Sequence, residues 1–527
     1  MTDKLSSFGG ILLAQKVNEA YSEGQTDYSL EPFVRVDQAG QPLGRIKQGD
    51  SVVFCCRRGE REIELTEAFT DPDFSHFSRN RIPDLDFVIL TLYHEKFKDL
   101  PVAFAPAKVE NTLGEVISKA GLTQFRCAES EKFAHVTFFL NGGHNQPFPG
   151  ENDVRIPSPR GIPFDQVPEL SLPQVTREVI RGLSLRFPFV VTNFANGDVI
   201  GHTSNREAKI KCAEIIDSHL GQVVEEARKN DYVILITADH GNIEELLTPE
   251  GKPHVAHTTN LVPFLVIDGQ KERAIRANSG SLEDIAPTIL NILNIPKPAI
   301  MTGKNLITDF DFGKKRNVLL IILDGWGEGQ PDDNNPVFLA STPVWDRLKK
   351  TNLSSFLRAS GEAVGLQAGK PGNSEAGHMN IGAGRIVLQD DVRLDRAMQD
   401  GSFYANSVFQ DAIQHCKNNQ SALHLIGLLT EKSSHGSIDY PLAVLKIAKK
   451  NGLNQVFLHL ILDGRSTEPG SAPVLLHKLE TRMAEIGIGE IVTAVGRGIA
   501  LDRDGNYSKI KKAYDALVSG IGEQYTG

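Results

Sequence analysis

Asn317-Val318-Leu319-Leu320-Ile321-Ile322-Leu323-Asp324-Gly325-Trp326-Gly327 is the stretch on which the fold turns. Its apolar run is the length of a strand, and its apolar residues leave no polar face. A strand buried on both faces reads this way, as in a largely parallel sheet covered by helices. An aspartate and a glycine stand where the chain leaves that strand. The pattern recurs twice. Val190-Val191-Thr192-Asn193-Phe194 is followed by Asn196-Gly197-Asp198 and then His202, and the run Tyr232 to Ile236 leads into Thr237-Ala238-Asp239-His240-Gly241-Asn242. One such aspartate could be a helix cap. Three of them, two with histidines close by, indicate a shared site at the carboxyl ends of strands, where open α/β sheets collect ligands.

Working outward, strands and helical segments alternate from about residue 107 to 388. Near the end of this region lies Pro371-Gly372-Asn373-Ser374-Glu375-Ala376-Gly377-His378, a serine among small residues just ahead of a segment that can start a helix. A serine there serves as a turn residue or N-cap unless it has reactive partners. A helix N-terminus also offers free N–H groups to an anion, and glycines allow close approach. Residues 389–527 repeat the α/β style with different loops. The strand Ala422 to Leu428 precedes His435, Val456 to Leu462 precedes Asp463-Gly464-Arg465-Ser466, and Ile491 to Val495 precedes Gly496-Arg497 and Asp502-Arg503-Asp504. At the other end, residues 1–106 hold a helical pattern from Leu12 to Tyr21, the strand Ser51 to Phe54 leading into Arg57-Arg58-Gly59-Glu60-Arg61, and a further strand from Asp84 to Tyr93. One domain thus offers Asp and His, the other Arg and His. The piece from Pro296 to Arg316 reads as a surface connection.

Composition sets the bounds. A chain of 527 residues is too long for one ordinary core, so two or more domains are expected. A net charge of -10 argues against a general nucleic-acid or membrane-surface role, and no run approaches a membrane span. The five cysteines form no C-x-x-C pair, and the start of the chain leads into no long apolar run. A reducing cytoplasm without a signal peptide is the expectation.

Carboxylate and imidazole together suit Mn²⁺ or Zn²⁺ better than Ca²⁺. Asp198, His202, Asp239, His240, His257 and Asp324 are too many ligands for one tetrahedral ion, so two ions are the simpler reading. Paired metals polarise a phosphoryl group, and a metal beside Ser374 would make its hydroxyl a nucleophile.

These residues resemble a family. The segments Leu323 to Gly327, Gly372 to His378, Asn380 to Arg385, Thr237 to Asn242, Ala256-His257-Thr258, Glu129 to Thr137 and Asn196 to Thr203 are similar to those of cofactor-independent phosphoglycerate mutase, in the alkaline phosphatase superfamily. The resemblance covers nearly the whole chain, but in a different order. Family members begin at the strand that here starts near residue 317, after segments that normally end the protein. The resemblance therefore implies a circularly permuted chain with two doubly wound α/β domains. An alkaline-phosphatase-like metal domain would be continuous from 107 to 388, and a substrate-binding domain would be split into 1–106 and 389–527.

Carried over by motif, the resemblance implies one ion on Asp198, His202 and His257 and another on Asp324, Asp239, His240 and Ser374, most readily Mn²⁺, with Mg²⁺ or Zn²⁺ as alternatives. It implies Ser374, Lys132 and His435 as catalytic residues. Substrate-binding residues would be Arg58, Arg61, Arg465, Arg497, Arg503, His435 and Lys132. The implied reaction interconverts 3-phosphoglycerate and 2-phosphoglycerate through phosphoserine, in a monomer, without bisphosphoglycerate. The departures lie in the substrate half. Ser466 stands where the family has an aspartate, Ser437 where it has a histidine, and Gly498 and Ile499 where it has tyrosines. They keep open a second reading, a metal-dependent phosphatase or phosphomutase for another phosphomonoester. A third, a non-catalytic phospho-ligand binder, is disfavoured because every metal position is filled.

Overall fold

The computed structural model describes residues 8–57, 59–106, 108–269, 275–352, 355–433 and 435–526, with Gly59 and Glu60 described by their backbone alone. Arg58, one of the expected substrate-binding arginines, lies outside the described residues. The chain divides into two compact units. One, formed by the two ends of the chain and named the outer unit for that order in sequence, comprises residues 1–107 and 393–527; the other, the inner unit, comprises residues 108–392. The second division falls inside the helix Asp390–Asp400, a few residues beyond the sequence-based boundary at 388.

In chain order the strands are β1 (Phe33–Val36), β2 (Ser51–Phe54), β3 (Asp86–Thr91) and β4 (Val102–Phe104). The inner unit then gives β5 (Gln124–Glu129), β6 (Glu151–Ile156), β7 (Phe189–Phe194), β8 (Val233–Thr237), β9 (Val262–Asp268), β10 (Gly280–Ser281), β11 (Val318–Leu323) and β12 (Ser355–Arg358). The chain returns to the outer unit with β13 (Leu423–Leu429), β14 (Val456–Leu462), β15 (Glu490–Gly496) and β16 (Glu523–Thr526). The outer unit's sheet runs β16-β1-β15-β14-β13-β2-β3-β4, and the inner unit's runs β10-β12-β9-β8-β11-β7-β5-β6. In the inner sheet β8, β11, β7, β5 and β6 are parallel neighbours, and β9 runs against β8 and β12. In the outer sheet β14, β13, β2, β3 and β4 are parallel, with β15 parallel to β14 and β1 antiparallel to β15.

Alternation explains why these strands lack a polar face. Val53 and Cys55 enter one apolar cluster of the outer unit, while Val52, Phe54 and Cys56 enter another. Successive strand residues point to opposite faces, so both faces are packed. In the inner unit all six residues of β11 are buried, in the centre of the parallel block. The segment from Pro296 to Arg316 is more firmly held than a surface connection. Met301, Leu306 and Ile307 are buried with the inner core. Arg316 closes the segment with a buried ion pair to Asp268, 2.8 Å. The apolar residues are too sparse for their burial to show as periodicity. No helix among the described residues is long and apolar enough to cross a membrane.

One buried polar chain crosses the outer sheet on the face that carries Ile426, Ile461 and Val495. Asp50 Oδ2 lies 3.1 Å from His424 Nε2, His424 Nδ1 lies 2.9 Å from His459 Nε2, and His459 Nδ1 lies 2.8 Å from Thr493 Oγ1. A carboxylate can only accept, so His424 carries its proton on Nε2. Each further link then follows: His459 Nε2–H donates to His424, and the Thr493 hydroxyl donates to His459. Burial, with His424 alongside, holds the His459 imidazole well below its usual pKa. The folded chain thus keeps His459 neutral while the unfolded chain takes up a proton below about pH 6.5. Stability from this group is complete above that pH and is lost as pH falls. Comparing the thermal midpoints of wild type and His459→Gln from pH 5 to 8 should show a shallower acid decline in the variant. Parallel curves would refute the assignment.

Candidate metal and phosphoryl-transfer site

Four neighbouring parallel strands of the inner sheet, in the order β8-β11-β7-β5, end on the same side. Asp239 and His240 follow β8, and Asp324 follows β11 directly. Asp198 sits in the short helix Asn196–Gly201 after β7, with His202 at its C-cap, and Lys132 in the helix Ser130–Ala134 after β5. The helix Ser374–Ala383 brings its first residue to the same place. Its cap is Asn373, whose side chain accepts from the Ala376 N–H, so the Ser374 hydroxyl is not used as a cap. Two glycines let these loops meet. A Cβ at Gly377 would stand 2.7 Å from the Asp239 carbonyl oxygen, and one at Gly325, whose φ is +70°, would stand 2.7 Å from the Asp198 backbone. Neither position has room for a side chain.

Ser374 Oγ is 2.6 Å from Lys132 Nζ, 3.0 Å from His240 Nε2 and 3.2 Å from Asp324 Oδ1. Lys132 Nζ also donates to Asp198 Oδ2 at 2.6 Å and Asp324 Oδ1 at 2.8 Å. Beside it, His257 Nε2 and His202 Nε2 lie 3.0 and 3.2 Å from Asp198 Oδ1, and 3.1 Å from each other. Both histidines turn Nδ1 to a backbone carbonyl, His202 to Val255 at 2.8 Å and His257 to Gly372 at 2.7 Å. That fixes the Nδ1–H, so two imidazole lone pairs and a carboxylate oxygen converge on one point. A carbonyl that holds Nδ1–H in this way orients the ring and leaves Nε2 to a cation.

The electrostatics agree. Burial works against the charge of Asp198, but Lys132, His202 and His257 outweigh it and hold its carboxyl well below the usual range. Burial likewise opposes ionisation of Asp239, and His240, His378 and Lys132 reverse it, lowering its pKa. Asp324 moves upward, through burial and the adjacent Asp239 charge. Burial disfavours the Lys132 ammonium, yet Asp324, Asp198 and Asp239 raise its pKa. Asp198 draws the pKa of His202 upward, and overcomes burial to do the same for His257. Without a cation, protons hold the cluster together; metal binding would displace them.

The residues fit two divalent ions. Asp198, His240 and His257 form one group whose ligand atoms lie within 4.8 Å of one another, and Asp239, His240 and Asp324 form a second. Asp239 Oδ2 is buried without a hydrogen-bond partner. Mixed oxygen and imidazole donors suit Mn²⁺ or Zn²⁺. The site is sealed at one end and open at the other: the side chains of Asp239, His240 and Asp324 are 0% exposed, that of His257 20% and that of His202 46%.

The arginine-bearing loops belong to the outer unit, at the carboxyl ends of β2, β14 and β15, and His435 follows β13. Arg497 is buried and pairs with Asp463 at 2.5 Å. Arg61 is buried and donates to the Leu501 carbonyl at 3.0 Å. Arg465 and Arg503 are exposed. His435 is nearly buried, with Nδ1 3.2 Å from Glu62 Oε1. Ser466 is exposed, and Ser437 Oγ is used within its own loop, donating to the Glu431 carbonyl at 2.7 Å.

Four contributing residues escaped the sequence reading. Asn193 donates to Asp324 Oδ2 at 2.6 Å and Asn242 to Asp198 Oδ1 at 3.0 Å. His378 Nδ1 faces the Ser374 carbonyl at 2.9 Å and Asp239 Oδ2 at 3.4 Å, and Glu62 faces His435. Asn193 carried a signal, as a polar residue inside an apolar strand. His378 carried one too, since it stands four residues after Ser374 and so shares its helix face.

Residues 13–297 match the profile of the Metalloenzyme superfamily, and residues 394–526 match that of the BPG-independent PGAM N-terminus. The 2,3-bisphosphoglycerate-independent phosphoglycerate mutase of Moorella thermoacetica is 46% identical over 296 residues, covering 56% of this chain and 57% of its own. The enzyme of that name from Thermosynechococcus vestitus is 45% identical over 327 residues, covering 58% of this chain and 61% of its own. Each of these alignments thus spans less than two thirds of the relative's length. Among solved structures, Leishmania mexicana phosphoglycerate mutase at low cobalt concentration aligns with a TM-score of 0.40 and 29% identity, over 51% of this chain and 53% of its own. The matching profile spans more than half of the chain and includes Asp198, His202, Asp239, His240 and His257: the chain belongs to the Metalloenzyme superfamily.

Proposed function

We propose that this chain is a 2,3-bisphosphoglycerate-independent phosphoglycerate mutase that interconverts 3-phosphoglycerate and 2-phosphoglycerate through a phosphoserine at Ser374. The observation that carries the reading is the position of Ser374 Oγ. It lies at a helix N-terminus, in contact with Lys132, His240 and Asp324, beside two groups of metal-type ligands. Asp198, His202 and His257 would hold one ion, and Asp324, Asp239, His240 and Ser374 the other, with Mn²⁺ favoured by the donor set. Bound there, divalent ions would supply Lewis acidity toward the phosphoryl oxygens and lower the pKa of the serine hydroxyl.

The chain's own groups account for the rest. Ser374 Oγ forms a bond to phosphorus as the bond to the 3-oxygen of the substrate breaks, and the 2-oxygen later takes the group back. Lys132, buried among carboxylates, stays cationic and can follow the negative charge of the transferring group. The open His202 side of the cluster is the way in. Arg61, Arg465, Arg497, Arg503 and His435, with Arg58, would bind the carboxylate and hydroxyls of the glycerate, as guanidinium forks suit.

The order of the profile matches supports the circular permutation, because a segment described as an N-terminus matches residues 394–526, after the superfamily match. Five buried, unpaired cysteines support a cytoplasmic setting. The test supplies 3-phosphoglycerate with Mn²⁺, without bisphosphoglycerate, and measures 2-phosphoglycerate and free phosphate together. Formation of 2-phosphoglycerate is expected. Phosphate alone, also with Mg²⁺ or Zn²⁺, would reject the mutase and favour a phosphatase, the reading to which the exposed Ser466 is better suited.

A further inference from the structure

Glu244 lies just beyond Asp239 and His240 in the segment that follows β8, and it is 1% exposed. Hydrogen-bond donors answer its charge. Oε2 accepts from the backbone N–H of Asn242 at 2.7 Å and of Gly327 at 3.0 Å. Oε1 accepts from the Thr258 hydroxyl and from Asn260 Nδ2, the latter at 3.0 Å. These donors fill the lone pairs of an ionised carboxylate. A buried carboxylate without such partners costs stability, while one with all of them is a rigid junction.

The donors come from three segments, and each segment carries metal-type ligands. Asn242 follows His240, and its side chain donates to Asp198 Oδ1 at 3.0 Å. Gly327 follows Asp324, and Thr258 is the neighbour of His257. These segments are not equally held by the rest of the inner unit. Asp239 and Asp324 leave β8 and β11, which are paired along their length. His257 precedes β9 and is joined to the site by single contacts. Its Nδ1 meets the Gly372 carbonyl at 2.7 Å, and the Thr258 N–H donates to the Gly241 carbonyl at 2.9 Å. Side chains hold this segment on both flanks: Lys209 Nζ donates to the His254 carbonyl at 2.7 Å, and Glu244 takes Thr258 and Asn260. The Glu244 tie is the one next to His257, on the open side of the cluster.

We propose that Glu244 is a positioning residue for the metal centre, whose carboxylate fastens the His257 segment to the loops that carry Asp239, His240 and Asp324. The proposal rests on the two-metal part of the mutase reading. Groups that orient ligands without touching the ion govern its affinity in this way. The ion on Asp198, His202 and His257 depends on Glu244 most, because sheet pairing already fixes Asp239 and Asp324.

The test measures Mn²⁺ binding to the full chain by equilibrium dialysis for wild type, Glu244→Ala, Glu244→Gln and Thr258→Val. Wild type should bind two ions. Glu244→Ala should weaken one of them by about 10–100-fold and leave the other close to wild type. Glu244→Gln keeps an acceptor for the backbone N–H groups, and Thr258→Val cuts only the tie to the His257 segment. Both should show a smaller loss at the same ion, and they decide the matter if the alanine variant fails to fold. With 3-phosphoglycerate, excess Mn²⁺ should restore most of the rate with KM little changed, since the residue acts through the ion. Asp217→Asn is the control for general destabilisation. Asp217 is a buried carboxylate that accepts from the Val344 and Trp345 N–H groups at 3.1 and 2.6 Å. Its variant should melt earlier yet bind Mn²⁺ as wild type does. If wild type binds two ions and Glu244→Gln and Thr258→Val bind both as tightly, or Asp217→Asn weakens them as much, the positioning role is overturned and the mutase reading stands. If wild type binds no divalent ion, both fail.

Discussion

Replacing Ser374 by alanine should lower the formation of 2-phosphoglycerate by roughly 10⁴-fold or more, the scale on which loss of a catalytic nucleophile is felt. The fold should tolerate it. Asn373, not Ser374, caps the helix, and Lys132 keeps its contacts with Asp198 and Asp324 at 2.6 and 2.8 Å. The variant should therefore still bind divalent metal and melt close to wild type. Intact-protein mass spectrometry after quenching with 3-phosphoglycerate should show a phosphoryl adduct on wild type and none on the variant. A variant within about tenfold of the wild-type rate would assign the nucleophile elsewhere. The comparison separates chemistry from binding, since loss of activity through a collapsed metal site would appear in the melting curve as well.

Physical pattern decides which parts of this site could be read in advance. Asp198, Asp239 and Asp324 stood out because each follows an apolar run with no polar face, which only a strand packed on both sides requires. Adjacency in the sheet could not be read so directly: β8, β11 and β7 are neighbours, yet β11 lies far along the chain from both. Recognising that they converge depended on chemistry, the excess of carboxylate and imidazole over what one core needs. Glu62 gave no such signal. In Glu60-Arg61-Glu62-Ile63-Glu64 every second residue is acidic, and a helix carrying that run is expected to turn it to solvent, whereas Glu62 is fully buried against His435. Asp463 similarly reads as part of a turn before Gly464, and only the structure pairs it with Arg497. Long-range pairs of this kind leave no periodicity in the chain. The segment from Pro296 to Arg316 failed in the opposite sense, since its prolines and glycines mark irregular backbone but say nothing of whether Met301 and Ile307 are buried.

Lys132→Met should separate two roles of one positive charge. In the metal-free chain Lys132 is the ammonium that faces the buried carboxylates of Asp198 and Asp324. Methionine keeps much of the stem and removes the charge, leaving those carboxylates without it. Breaking a buried pair in this way costs about 3–5 kcal/mol, so the metal-free variant should unfold at clearly lower urea than wild type. Divalent metal brings positive charge to the same oxygens and stabilises only the folded chain, by about 2.7 kcal/mol at a concentration of 100 Kd. The gain in stability on adding Mn²⁺ should therefore be larger for Lys132→Met than for wild type. Activity should not recover with it. At saturating Mn²⁺ the variant should remain about 10²–10³-fold slow, because a donor aimed at the Ser374 oxygen at 2.6 Å is missing from the transfer step. Equal unfolding of the two metal-free proteins would show that the carboxylates do not depend on Lys132. Full recovery of rate by metal would show that its charge serves the fold alone.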